Sequence, residues 1–114
     1  MSGHGTIDSV DLETERATAL ATLADLEADF ARLVAASEGT NADDEHDPEG
    51  ATIGFERAQL AASIVRLRAQ VAELDAAAER VSAGSYGICE LCGQPIGDGR
   101  LAARPTARTC INCA

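Results

Sequence analysis

Residues 86–113 read YGICELCGQPIGDGRLAARPTARTCINC, and they hold all four cysteines of a 114-residue chain. Cys89 and Cys92 form one Cys-x2-Cys pair and Cys110 and Cys113 a second, with 17 residues between the pairs. This spacing is that of a four-cysteine zinc site. Tetrahedral Zn2+ takes four thiolates at about 2.3 Å, and each Cys-x2-Cys turn aims two sulfurs at one point. Gly93, directly after the first pair, lets the chain bend back under the metal. Cys89, Cys92, Cys110 and Cys113 fill the coordination shell and leave no position for water, so one structural rather than catalytic zinc ion is expected. Its binding free energy, on the order of 10–16 kcal/mol in finger peptides, would fold a segment too small to build a core of its own.

Two disulfides are the competing reading of the same cysteines. The N-terminus, MSGHGTIDSVD, has neither a basic n-region nor an apolar h-region, and without a secretory signal the thiols are expected to stay reduced. Neither pair is followed by His, as c-type haem attachment requires, and a thioredoxin-like motif is a single pair in an α/β context. Zinc thiolates can be oxidised when exposed, which keeps a redox or metal-storage protein as a separate class.

Upstream of Gly84 the pattern is helical. Positions 12, 16, 19, 23, 26, 30 and 33 hold Leu, Arg, Ala, Leu, Leu, Phe and Leu; their alternating steps of four and three make a coiled-coil seam with Arg16 as its polar member. A second seam runs through 53, 57, 60, 64, 67, 71, 74, 78 and 81 as Ile, Arg, Leu, Ile, Leu, Val, Leu, Ala and Val. Asp8 or Ser9 can cap the first helix and Gly39 can stop it, while Asp47 and Pro48 suit the N-cap and first position of the second, with Gly84 beyond its end. Gly54 is a weak point, costing about 1 kcal/mol relative to Ala.

Two helices joined by a short connection should fold back on each other, because closing a small loop costs little entropy. The expected architecture is therefore mainly α: residues 1–8 a disordered N-terminus, 9–83 a long antiparallel coiled-coil hairpin with an acidic tip at 40–50, and 84–114 a small four-cysteine zinc finger. Pairing of each seam with a second molecule is the alternative, which would make the protein a zinc-stabilised coiled-coil scaffold or dimerisation module.

The chain carries 19 acidic residues against nine basic ones, all Arg, for a net charge of −10. Residues 1–83 account for 17 of the acids and six of the Arg. Such a balance opposes free binding to a nucleic-acid backbone and suits a basic partner surface or a cation. No apolar run approaches the roughly 18–20 residues that span a membrane, so a soluble, cytoplasmic protein is expected. No nucleophile–base pair or open metal position speaks for an enzyme.

The spacing YGxCxxCGxxIxxxRLxAxPxAxxCxxC, filled by Tyr86, Gly87, Cys89, Cys92, Gly93, Ile96, Arg100, Leu101, Ala103, Pro105, Ala107, Cys110 and Cys113, resembles the zinc-finger signature of the DksA/TraR family. It covers about a quarter of the chain, and a hairpin with an acidic tip ahead of the finger agrees with that family's architecture. The resemblance implies a bacterial transcription regulator, not an enzyme, that binds RNA polymerase by inserting its coiled coil into the secondary channel, without sequence-specific nucleic-acid binding. It further implies that two tip aspartates spaced D-x-x-D act near the catalytic centre. Here Asp44 and Asp47 have that spacing, with Asp43, Glu45 and Glu49 as further candidates.

Three features depart from the family pattern. Where the family tip continues D-x-x-D-x-A, Asp47 is followed by Pro48 and Glu49. The sequence reaches Ala114 without the C-terminal helix of longer members and has no Lys, so guanosine tetraphosphate binding at the family's site is not expected. The N-terminal extension is short, as in reduced members. A monomer is expected.

The remaining polar residues have plainer readings. The tip run lacks EF-hand spacing, which weakens a Ca2+ or Mg2+ loop. His46 reads as an exposed loop residue and His4 as part of a Gly-rich terminus. Arg100, Arg104 and Arg108 read as a solvated finger surface that offsets thiolate charge, or as contacts to a partner.

Overall fold

The computed structural model describes residues 9–39 and 48–114. The carboxylates at 43, 44, 45 and 47 lie outside the described residues, and Glu49 is placed only as part of a helix backbone. The described residues form three helices: α1, Ser9–Gly39; α2, Pro48–Ala83; and a short α3, Asp98–Ala103. Among the described residues there is no strand, only one isolated antiparallel bridge between Ile88 and Pro95. The architecture is a coiled-coil hairpin of two antiparallel helices followed by a four-cysteine finger. No described helix is long and apolar enough to cross a membrane.

Both seams face inward. Leu12, Ala19, Ile64 and Leu74 are buried, and Leu23, Leu26, Phe30, Leu33, Ile53, Leu60, Leu67, Val71, Ala78 and Val81 are half-buried. Arg16 and Arg57, the polar seam members, are exposed. The helix ends follow from local chemistry. α2 begins at Pro48, whose missing N–H costs nothing at a first helical position. It ends in a Schellman motif: Gly84 has φ +81, its N–H bonds to the Val81 carbonyl at 3.2 Å and the Ser85 N–H to the Arg80 carbonyl at 2.9 Å. That left-handed turn excludes most side chains, which is why glycine stands there.

The chain divides into two compact units. The first, residues 1–18 and 70–114, joins the outer ends of both helices to the finger. In it Arg16 of α1 pairs with Asp75 of α2, while Leu12, Leu74 and Ala77 are 2%, 2% and 0% exposed. Burying a leucine this fully is worth about 1.5–3 kcal/mol. The second unit is residues 19–69. There Glu27 of α1 meets Arg68 of α2 at 2.6 Å, and Phe30, further along α1, lines a shallow groove with Ala61, Ile64 and Val65, earlier in α2. This order fixes the pair as antiparallel. The ion pairs are solvent-exposed, worth no more than about 1 kcal/mol each; the apolar seam holds the helices together.

Candidate metal centre

The finger is built by two turns that present sulfurs. In the first, the Gly93 N–H bonds to the Cys89 carbonyl at 3.0 Å and the Cys89 N–H to the Gln94 carbonyl at 2.8 Å. Gly93 takes φ +77, the left-handed bend that brings the chain back beneath the sulfurs. In the second turn the Cys113 and Ala114 N–H groups both bond to the Cys110 carbonyl at 3.0 Å. Beneath the turns lies a small core of Cys89, Ile96, Leu101, Ala107 and Cys110, flanked by Tyr86 and Cys113. α3 is amphipathic over barely one and a half turns, and Leu101, 3% exposed, is its contribution to that core.

All four cysteines are free, and their Sγ atoms lie within 4.8 Å of one another. Ligands at about 2.3 Å from a tetrahedral centre are separated by about 3.8 Å, against about 2.05 Å for a disulfide. Cys92 Sγ and Cys110 Sγ are 3.7 Å apart, the spacing of a zinc site. Cys89, Cys92, Cys110 and Cys113 are thus positioned to bind one zinc ion, and with four thiolates the coordination is closed.

The sulfurs are not equivalent. Backbone amides, foremost that of Cys110 and then those of Cys92 and Leu91, hold the Cys89 thiol down to about 6 against the effect of burial; the Leu91 N–H lies 3.4 Å from its sulfur. The Cys113 thiol is pushed up to about 12, chiefly by the Cys110 sulfur and then by those of Cys89 and Cys92, which bond to its protonated form. Cys89, Cys92, Cys110 and Cys113 would hold a zinc ion as thiolates, so binding it would release their protons.

Residues 84–114 match the family described as prokaryotic dksA/traR C4-type zinc finger. Among curated proteins, the RNA polymerase-binding transcription factor DksA of Caulobacter vibrioides is 55% identical over 42 residues, which cover 37% of this chain and 30% of that protein. DksA of Escherichia coli K12 is 42% identical over 48 residues, covering 42% and 32%. An uncharacterized protein of Aquifex aeolicus is 48% identical over 46 residues, covering 40% and 32%. These alignments span about a third of each relative's length. The structure of transcription factor DksA2 from Pseudomonas aeruginosa superposes with a TM-score of 0.58 at 27% identity, covering 93% of this chain and 81% of that one.

Residues 84–114 thus carry a DksA/TraR-type C4 zinc finger, and the chain as a whole is similar in fold to DksA2. Within its finger, two of the arginines that read as a solvated surface also have partners inside the protein. Arg100 Nε donates to the Thr109 carbonyl at 2.8 Å, one residue before the Cys110 ligand. Arg108 pairs with Glu73 and Glu90 at 3.1 and 3.3 Å, and the Glu73 charge, foremost, raises its pKa. Arg104 is exposed. The Tyr86 hydroxyl donates to the Pro105 carbonyl at 2.8 Å; burial raises its pKa, Arg80 opposes, and Glu15 and Asp11 of α1 add to the rise. Spacing in the sequence points to the four cysteines but carries no signal for these bonds, whose partners are 9 to 35 residues away. Asp44 and Asp47, the other candidate site, lie outside the described residues.

Proposed function

We propose that this protein binds bacterial RNA polymerase and regulates transcription by entering the secondary channel with its coiled coil, acting by contact and not as an enzyme. The observation that carries this reading is the coincidence of a DksA/TraR finger at 84–114 with a DksA2-like fold over 93% of the chain. The relatives matched in Caulobacter vibrioides and Escherichia coli are named RNA polymerase-binding transcription factors.

Physical chemistry supports the same reading. A channel that admits nucleotides presents basic groups, and residues 1–83 carry 17 acids against six Arg, so the helical part is attracted while a bare nucleic-acid backbone repels it. Helices of 31 and 36 residues are each about 45–55 Å long at 1.5 Å per residue, enough to reach deep into a protein. Asp44 and Asp47 then act near the catalytic centre, with Asp43, Glu45 and Glu49 as accessory carboxylates. The protein works as a cytoplasmic monomer with one structural zinc and without guanosine tetraphosphate.

The test is co-purification with bacterial RNA polymerase, followed by transcription from a ribosomal promoter. Association that weakens as salt is raised is expected, and failure to associate at low salt overturns the proposal. Asp44→Asn with Asp47→Asn should keep the association and lose the transcriptional effect.

A further inference from the structure

Arg108 ties both zinc-binding turns to α2. Its Nε and Nη2 each lie 3.1 Å from Glu73 Oε1, on the helix. Its Nη1 lies 3.3 Å from Glu90 Oε2, on the residue that follows Cys89. Its own carbonyl accepts the Glu90 N–H at 2.9 Å, and two residues later the chain delivers Cys110. Just upstream, the Pro105 carbonyl takes the Tyr86 hydroxyl at 2.8 Å and the Thr106 carbonyl takes Arg80 Nη2 at 3.3 Å. The segment entering the second turn is therefore fastened to α2 at Thr106 and Arg108 and, just past the helix end, to Tyr86 at Pro105, and its far end is a candidate metal ligand. All of these groups lie in one compact unit.

We propose that Arg108 is a positioning residue that couples zinc occupancy to the last turns of α2 through Glu73. The chemistry of the coupling is preorganisation. With the metal bound, the segment carrying Arg108 is already ordered, and its guanidinium meets Glu73 at little further entropic cost. With the metal gone, the same ion pair must order a loop each time it forms, and it weakens. Coupling of this kind is reciprocal: what zinc does for the Arg108–Glu73 contact, the contact does for zinc affinity. Residues on α2 that touch no ligand thereby influence how tightly the finger holds its metal, and the helix pair responds to metal status.

The pair is half-exposed, with side-chain accessibilities of 40% and 47%, which bounds the effect at about two- to fivefold in zinc affinity. The experiment is zinc competition against a chromophoric chelator on the full chain. Arg108→Gln and Glu73→Gln should each weaken zinc binding by this factor, and the double variant should be no weaker than the worse single one, because both remove one interaction. Arg104→Gln, which removes an equal charge from the same loop, should leave affinity unchanged. Glu73→Gln lies on a helix outside the finger, so it reads the coupling even if Arg108→Gln fails to fold.

Hydrogen exchange gives the reciprocal measurement: stripping zinc from the wild type should raise exchange over residues 70–83. The proposal is overturned if Glu73→Gln binds zinc like the wild type, if the two losses add, if Arg104→Gln is as damaging, or if residues 70–83 exchange alike with and without zinc.

Discussion

The finger and the coil at residues 19–69 secure themselves in opposite ways. In the coil unit, only Ala19 and Ile64 among the described residues are buried apolar ones; the other described apolar seam positions are half-buried, and the pattern repeats every three or four residues. The finger at 84–114 buries Cys89, Ile96, Leu101, Ala107 and Cys110 around four sulfurs that a single ion can join. A repeated seam distributes its stability, so losing one contact leaves the next in place. A metal-centred fold concentrates stability in a few atoms, so losing one ligand removes most of it.

The sharpest way to expose this contrast is to remove a ligand. Cys110→Ser, or zinc chelation, should take the metal content from one to zero and unfold 84–114, because binding free energy on the order of 10 kcal/mol is also the folding free energy of such a segment. Hydrogen exchange should rise across the finger while residues 19–69 keep their protection. Equal loss in both regions would erase the distinction.

Next in size is a core truncation where helix and finger share a unit. Leu74, 2% exposed, should cost about 2–5 kcal/mol on substitution by Ala, from lost transfer energy and the cavity left behind. Leu23, half-buried on the opposite helix within the coil unit, should cost less. Urea denaturation of the two variants compares them directly, and equal costs would mean that the seam is as concentrated as the finger.

These expectations also mark what is legible in the sequence. The seams are visible because burial along a helix follows period, and the zinc site because ligand spacing is set by turn geometry; neither needs knowledge of distant residues. Ala77 shows the limit. It is the most buried residue among those described, 0% exposed, yet it stands beside the seam, one turn after Leu74 on the part of α2 that shares a unit with the finger. An alanine carries no signal of its own, and a strict step of four and three passes over it to Ala78. Arg108 is equally opaque, since its role depends on Glu73, 35 residues away, and nothing local distinguishes it from the exposed Arg104. The acidic connection was legible as charge and as a break in period, which is composition rather than placement.

A smaller effect separates the finger's polar fastening from its metal. Tyr86→Phe removes the hydrogen bond to the Pro105 carbonyl and should cost about 1 kcal/mol. Because burial raises the Tyr86 pKa above 10.0, the folded state favours the protonated phenol. That contribution is complete below pH 10 and fades as the pH climbs through the folded pKa. The wild type should therefore lose stability above about pH 10 by more than Tyr86→Phe does, as read by urea midpoints across the alkaline range.

The smallest change runs the other way and belongs to the coil. Gly54 lies inside α2, where its backbone is helical, and a Cβ built on it meets nothing within 4 Å beyond its chain neighbours and the surrounding turns of its own helix backbone. Glycine there loses more chain entropy on folding than alanine does, without using the freedom that justifies Gly84 or Gly93. Gly54→Ala should stabilise the protein by about 0.5–1 kcal/mol, raising the urea midpoint while leaving zinc affinity untouched. The gain comes from the unfolded chain and not from a new contact, so it should appear equally with and without metal. If zinc removal abolished it, α2 near Gly54 would fold only when the finger does, and the coil would not be the independently distributed structure that its seam implies.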